Sequence, residues 1–393
     1  MTASFRSVDV AVVGSGLVGA ASAITLSRLG LSIALLDSKP LDEVMNASLD
    51  SRIYTLTPGN VDWLKSLGVW QNLDQERIAP VDAMEIWGDR DAETFAQPTL
   101  CFSAYEAGLP NLAYIIEEKI LRAALLQEVQ KAGIELMLGR CVELNVGDSD
   151  ARLELEDGRT LLAKLIIGAD GANSTIRELA DIPVQHHGYD QVGIVANFEA
   201  EFAHGNVARQ WFTRHGVMAW LPLPHNCISL VWSTRESEHL LAMQASEFAA
   251  RVEAVGGHLL GQLQTVTPAK GFALSMKAAG TLVEPRVVLV GDAAHQVHPL
   301  AGQGVNLGFR DVVALTEILK QRKTYEDIGS FMMLRRYERA RKTDMRRMQL
   351  TTHGLNWLFE SELPFVGAIR NRGMKAVDCQ PVLKRKIIKQ AVS

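Results

Sequence analysis

Gly14, Gly16 and Gly19 fall at the spacing G-x-G-x-x-G (Gly14-Ser15-Gly16-Leu17-Val18-Gly19), directly after a short apolar run from Val8 to Val13. The chemistry this spacing serves is the binding of a pyrophosphate. Gly14 permits a tight turn, Gly16 lets backbone N–H groups approach phosphate with no Cβ in the way, and Gly19 lets a helix pack closely on the preceding strand. Ala20 to Leu29 then shows helical spacing, Gly30 closes it, and the apolar run Leu31 to Leu36 ends in Asp37. The helix N-terminus directs partial positive charge at the phosphates. Asp37 is placed to accept hydrogen bonds from an adenosine ribose, and an acid there disfavours a 2′-phosphate. The bound nucleotide is therefore expected to be FAD or NAD rather than NADP.

Two further glycine loops lie far along the chain. Leu153 to Glu156 and Leu161 to Ile167, joined at Asp157-Gly158, read as a hairpin whose second strand runs into Gly168-Ala169-Asp170-Gly171. Asn173 and Ser174 then open a helical stretch that carries Arg177. Arg286 to Val290 reads as another buried strand and leads into Gly291-Asp292-Ala293-Ala294-His295, then His298-Pro299 and Gly302-Gln303-Gly304-Val305-Asn306. A helix from about residue 306 to 320 follows, so its N-terminus is a second ready-made anion site. The Asp170-Gly171 pair has two readings at this level: a cofactor contact, or a turn whose aspartate caps the next helix. His295 and His298 beside a glycine loop read as hydrogen-bonded to backbone, and no Ser-His-Asp or Cys-His arrangement accompanies them.

The elements that must position these loops come in two textures. The opening strand, glycine loop, helix and second strand form a βαβ unit, which joins parallel strands by a right-handed crossover. Residues 191–202, 207–214, 216–223 and 227–234 instead show the alternating, β-branched and aromatic pattern of an antiparallel sheet, and 80–105 can add strands to it. Trp211, Phe212, Met218, Trp220 and Trp232 concentrate there. From about 331 the chain is helical and basic, ending in Lys384-Arg385-Lys386-Ile387-Ile388-Lys389.

Composition bounds the rest. A chain of 393 residues is too long for one ordinary core. With 47% hydrophobic and 22% charged residues it is globular rather than disordered. A net charge of -5 excludes a nucleic-acid binder that relies on a global positive field. Cys101, Cys141, Cys227 and Cys379 are scattered, so neither a disulfide framework nor a metal site is expected, and a reducing cytoplasm fits. The N-terminus reads as a strand rather than a secretory signal. The apolar runs fall short of the ~18 residues that would span a bilayer.

Three elements in this order resemble the flavoprotein aromatic hydroxylases, the para-hydroxybenzoate hydroxylase-like proteins. They are G-S-G-L-V-G with Asp37, G-A-D-G-A-N-S-x-x-R from Gly168, and G-D-A-A-H-x-x-x-P-x-x-G-Q-G-x-N from Gly291. The wording of residues 165–174, 298–309 and 334–338 is similar to one branch, the UbiH/UbiF/VisC family of FAD-dependent ubiquinone-biosynthesis hydroxylases, and the likeness spans roughly residues 8 to 345. The resemblance implies an α/β fold: a Rossmann-like FAD-binding domain, an interleaved mixed or antiparallel-sheet substrate domain, and a helical C-terminus. The divisions expected are 1–75, 106–180 and 281–345 for FAD, 76–105 and 181–280 for substrate, and 346–393 as the C-terminal segment.

The same resemblance implies site roles. Asp292 would hydrogen-bond the ribityl chain of FAD, and the loop through Pro299, Gly302, Gly304, Val305 and Asn306 would aim backbone N–H groups at the N1–C2 edge of the flavin. Arg52 and Arg122 sit where the family places basic residues touching FAD, the alternative being ordinary solvated arginines. Asp170 and Gly171 would contact FAD and NAD(P)H, with Arg177 nearby. Trp211, Met218, Trp220 and His298 are candidates for a substrate pocket, with a packed core as the alternative for the aromatic cluster.

The implied activity is a monooxygenase: FAD reduced by NAD(P)H, O₂ as co-substrate, and oxygen transferred through a flavin C4a-hydroperoxide to the ring of a polyprenylphenol. No side-chain acid or base is needed for that chemistry. Rival readings are a flavin monooxygenase of a soluble aromatic, and a flavin-dependent dehydrogenase without oxygen insertion. Other ubiquinone-biosynthesis proteins are expected partners, nucleic acid is not, and membrane contact is peripheral at most, at the inner face. The basic tail is either a solvated charge run or an aid to that contact.

Overall fold

The computed structural model describes residues 5–40, 49–88, 98–213, 216–296, 304–343, 345, 373 and 376–392. His298, Pro299 and Gly302 lie outside the described residues.

The first eight-stranded sheet is built on parallel strands. Phe5–Val13 lies between Ile33–Asp37 and Thr160–Gly168, with Val287–Leu289 beyond the latter and Glu135–Leu138 beyond the former, all parallel. Their central residues, such as Val10 to Val12, Leu35, Leu36 and Leu165 to Ile167, are fully buried. This is why they read as continuous apolar runs: both faces of these strands are covered, so neither can be polar. Leu17–Ser27 and Gly304–Lys320 are two of the covering helices, and the antiparallel strands Cys141–Val146 and Ala151–Leu155 extend the sheet off Thr160–Gly168.

The second eight-stranded sheet runs in the order His295–Gln296, Leu263–Ala279, Val184–Ala200, Cys227–Thr234, Gly216–Pro222, Val207–Thr213, Ala83–Trp87, Leu100–Ser103. All its pairings are antiparallel except the one between Val207–Thr213 and Ala83–Trp87. A three-stranded sheet (Ile53–Leu56, Ala113–Glu117, Ala79–Val81) accompanies the two larger ones.

Period-2 alternation gives the second sheet two unlike faces. One packs Trp87, Trp211, Met218, Trp220, Trp232 and Phe198 against Phe248 of the helix Ala245–Val255. Trp87 stacks on Trp211 at 4.9 Å, and Trp211 meets Trp220 edge-on at 4.6 Å. This corrects the expectation that Trp211, Met218 and Trp220 line a substrate pocket. They are at most 1% exposed and form the core behind the sheet. Their neighbours of opposite parity, Val217, Ala219 and Leu221, face the cavity instead.

The C-terminal helix Pro381–Val392 packs back on the short helix Ala104–Ala107. Lys384 pairs with Glu106 and Asp378, and Arg385 donates to the Glu106 carbonyl at 2.9 Å. Its Ile387 and Ile388 reach the cavity. The basic run is therefore part of the fold around the site, with Lys384 turned inward rather than solvated.

Candidate functional site

The five parallel strands end along one edge of the sheet, and the loops that follow them open onto one cavity of about 1450 Å³. Ligands of open α/β sheets bind outside these carboxyl ends. Gly14 and Gly16 follow the first strand, Asp37 ends the second, Gly139 and Arg140 follow the third, Asp170 and Gly171 the fourth, and Asp292 the fifth. Residues up to 278 positions apart, from Gly14 to Asp292, meet there because parallel strands end on the same side. The volume exceeds the range of about 300–1,000 Å³ typical of single-ligand pockets, leaving room for a dinucleotide and a second molecule.

The first loop is shaped by what a side chain would strike. Gly14 has φ +106°, and a Cβ there would lie 2.3 Å from the Ala169 carbonyl oxygen. A Cβ on Gly19 would lie 1.8 Å from the Gly14 carbonyl oxygen, so Gly19 sits beneath the loop and sets the helix-to-strand distance. Gly16 differs: a Cβ there meets nothing within 4 Å and projects from the wall of the cavity.

Asp37 is held rigidly. Its Oδ2 accepts from the Ser15 N–H at 2.8 Å and the Ser15 hydroxyl at 2.5 Å, and its Oδ1 accepts from the Lys39 N–H at 3.0 Å. Burial alone would raise its carboxyl, but these bonds and the Arg122 charge hold it below the usual carboxylate range. Arg122 donates to the Ser15 hydroxyl at 3.3 Å, while its Nε is buried with no partner. A buried, unpaired guanidinium N–H on a cavity wall fits an anion there.

Asp170 caps a helix, as one of its two sequence readings requires, and keeps an acceptor at the cavity. One carboxylate oxygen accepts from the Ile176 N–H at 3.1 Å at the start of the helix Thr175–Leu179, and the other is buried with no partner. Arg177 does not reach the cavity. It is buried and donates to the Ala293 and Ala172 carbonyls at 3.0 and 3.1 Å, tying the second and third glycine loops together.

Asp292 is accessible from the cavity beside the first turn of Gly304–Lys320, whose Gly304 and Val305 also line it. Enclosure raises its carboxyl above the usual range, while His295 and Arg52 draw it down and Asp311 pushes it further up. Arg52 lies across the cavity, paired with Glu118 at 3.4 Å and over the Tyr54 ring at 5.8 Å. Burial pushes the Tyr54 hydroxyl up to about 12 despite Arg52, so it stays protonated. We expect Asp292→Ala to weaken nucleotide retention tenfold or more with little change in thermal stability, since the variant loses an acceptor on the cavity wall that no described side chain bonds. Flavin content after dialysis and the melting temperature, read together, check this.

Asn306 departs from its expected place. It is fully buried and absent from the cavity wall. Its amide donates to the Thr55 carbonyl at 2.7 Å and accepts from the Thr57 N–H at 3.0 Å and Asn60 at 2.8 Å. Its side chain fixes the loop carrying Thr55 and Thr57 to the start of the long helix.

Sequence reasoning missed a buried ionic cluster behind Asp292. His295 Nε2 bonds Asp311 Oδ2 at 2.7 Å, the Arg341 Nε donates to Asp311 Oδ1 at 2.6 Å, and the Gly291 N–H donates to Asp311 at 2.8 Å. Burial alone would depress the His295 pKa, yet Asp311 raises it, and His295 and Arg341 in turn lower that of Asp311. The cluster pins the Gly291 loop, and through it Asp292, to the helix.

A family model described as FAD binding domain matches residues 7–349. The chain is 36% identical over 393 residues to the 3-demethoxyubiquinol 3-hydroxylase of Escherichia coli (strain K12), covering 98% of each protein. It is 33% identical over 389 residues to the ubiquinone hydroxylase UbiL of Rhodospirillum rubrum, covering 98% of this chain and 89% of that one. Among solved structures, the p-nitrophenol 4-monooxygenase PnpA of Pseudomonas putida DLL-E4 matches with a TM-score of 0.80 at 17% identity, covering 98% of each chain. Klebsiella pneumoniae HpxO, complexed with FAD and uric acid, matches at 0.76 and 16% identity over 98% of this chain and 96% of that one. These last two likenesses concern the fold.

Proposed function

This chain belongs to the family of FAD-dependent ubiquinone-biosynthesis hydroxylases, and from that premise we propose that it hydroxylates the aromatic ring of a polyprenylphenol intermediate of ubiquinone biosynthesis, with O₂ as co-substrate and NAD(P)H as reductant. The observation that carries the substrate class is the continuity of the cavity. It runs from the glycine loops onto a sheet wall of Val195, Ala219, Leu221 and Val231, with Ile387 and Ile388 of the C-terminal helix on its margin. Burying a prenyl chain on such a surface is favourable by about 25 cal/mol per Å² of apolar area.

FAD, when bound, supplies the redox and oxygen chemistry. The chain's own residues do the rest. The N–H groups at the start of Leu17–Ser27, with Arg122, hold the pyrophosphate, and Asp37 holds the adenosine ribose. Asp170 and Asp292 hold the flavin-bearing half, with Gly171 leaving room beside Asp170. The N-terminus of Gly304–Lys320, whose Gly304 and Val305 line the cavity, would offer partial positive charge to a bound flavin. Residues 1–75, 106–180 and 281–345 thus serve FAD, and 76–105 with 181–280 form the wall that orients the ring and excludes water. The C-terminal helix, from the segment 346–393, joins that wall.

No helix among the described residues is long and apolar enough to cross a membrane. The prenylated substrate is instead collected at a bilayer surface. Supporting this, the C-terminal helix exposes Val382 (80%), Leu383, Lys386 and Lys389 close to the cavity margin, beside the exposed ring of Tyr105 (92%). Each lysine near an anionic surface contributes about 1 kcal/mol. Lys386→Glu with Lys389→Glu should cut binding to phosphatidylserine vesicles at least tenfold, and raised salt should weaken wild-type binding alike; unchanged sedimentation with vesicles would remove this membrane role.

The proposed substrate is tested by mass spectrometry of quinone lipids from cells with and without this chain. Accumulation of a prenylphenol lacking a ring hydroxyl is the expected result. An unchanged quinone pool in a strain with no second ring hydroxylase would refute it.

A further inference from the structure

We propose that Gln210 recognises the ring hydroxyl of the substrate and so sets the orientation of the ring in the cavity; this rests on the prenylphenol reading above. Gln210 lies in the strand Val207–Thr213, on the face opposite Trp211, and lines the cavity. It is only 6% exposed. Register places Ile86 and Ala219 directly beside it, and Val231 and Val195 further along the same row. Its amide is thus a polar group set into an apolar part of the wall.

That amide forms no hydrogen bond with any described residue, although most buried polar groups are paired. Arg209, next in sequence, is already engaged with Glu85 at 3.1 Å. Leaving an amide unpaired in an apolar wall is unfavourable, so a ligand that completes it is selected over one that does not. A glutamine amide both donates and accepts. Its carbonyl oxygen can accept a hydrogen bond from a phenol O–H, or its NH₂ can donate to the phenol oxygen, without adding charge to the wall. An amide at this point of the wall fixes one oxygen of the ring and leaves the prenyl chain to the aliphatic side chains beside it.

The test compares two probes on the FAD-loaded protein, 2-prenylphenol and 2-prenylbenzene, which lacks the hydroxyl, with binding read from the flavin absorption. Wild type is expected to prefer the phenol. Gln210→Leu should weaken phenol binding about tenfold, leave 2-prenylbenzene unweakened, and lower the yield of hydroxylated product per O₂ consumed. Gln210→Met, closer in length, repeats the measurement should the leucine variant lose its flavin. If the wild type prefers the phenol and both variants keep that preference, the role of Gln210 is overturned while the substrate class stands. If the wild type binds neither probe, the substrate class fails and the assignment of Gln210 falls with it.

Discussion

Gly16→Val yields a folded protein that purifies without flavin, whereas Gly19→Val fails to fold stably. The two glycines sit three residues apart in one motif, and the structure separates their functions. Gly16 has φ −66° and ψ −177°, a backbone conformation open to valine. A side chain there touches nothing in the protein and occupies the space where phosphate must lie. Its melting temperature should stay close to that of wild-type apoprotein. At Gly19 a Cβ overlaps the Gly14 carbonyl oxygen, and that carbonyl cannot retreat, because Gly14 itself packs on the Ala169–Asp170 backbone. Overpacking at a backbone contact costs about 3 kcal/mol or more. Flavin absorbance together with calorimetry of both variants separates the cases. Full flavin content in Gly16→Val would show that the pyrophosphate is bound elsewhere.

The second large effect is expected at Asp311. Asp311→Ala strips the acceptor from His295, from the Arg341 Nε and from the Gly291 N–H, and takes the carboxylate away from the buried Arg341 guanidinium. Breaking a buried ion pair from one side costs about 3–5 kcal/mol. Because Gly291 precedes Asp292, flavin retention should fall too, which separates this variant from a purely packing defect. The pH dependence follows from the two shifts. The Asp311 pKa is lowered in the folded protein, so its contribution is present above the unfolded value of about 3.9 and is lost as pH falls through the folded value. The His295 pKa is raised, so its contribution is full below about 6.5 and is lost as pH rises through the folded value. Wild-type stability from this cluster is therefore greatest between these limits. Unfolding free energies for Asp311→Ala should lack both limbs, and a wild-type-like profile would exclude the cluster as their source.

Much of the fold was legible because parallel strands buried on both faces leave continuous apolar runs. Val8 to Val13 and Leu31 to Leu36 read as strands and fall on the strands Phe5–Val13 and Ile33–Asp37, and their loops meet because parallel strands end together. The sheet of the substrate side was legible as alternation, but alternation does not say which face meets the cavity. Trp211, Met218 and Trp220 are open in sequence to a pocket or a core, and they are large apolar residues of the kind a core face selects. The smaller residues of opposite parity, Ala208, Gln210 and Ala219, were the signal for the open face.

Long-range pairings left no local trace. The partners of Asp311 lie 16, 20 and 30 positions away, and Asn306 bonds residues some 250 positions distant. The strand Leu263–Ala279 was missed for a different reason: most of its first half is exposed, so it shows no hydrophobic alternation. It also contains Pro268, which the sheet accommodates at a register break between the pairs Val195–Lys270 and Asn197–Thr267.

The most direct test of the account is ¹⁸O₂ incorporation by the purified, FAD-loaded protein given NAD(P)H and a short-chain prenylphenol. The account predicts a ring-hydroxylated product carrying one heavy oxygen atom, with the label absent when ¹⁸O is supplied as water. Oxidation of NAD(P)H with no labelled product, or a product labelled from water, would contradict it.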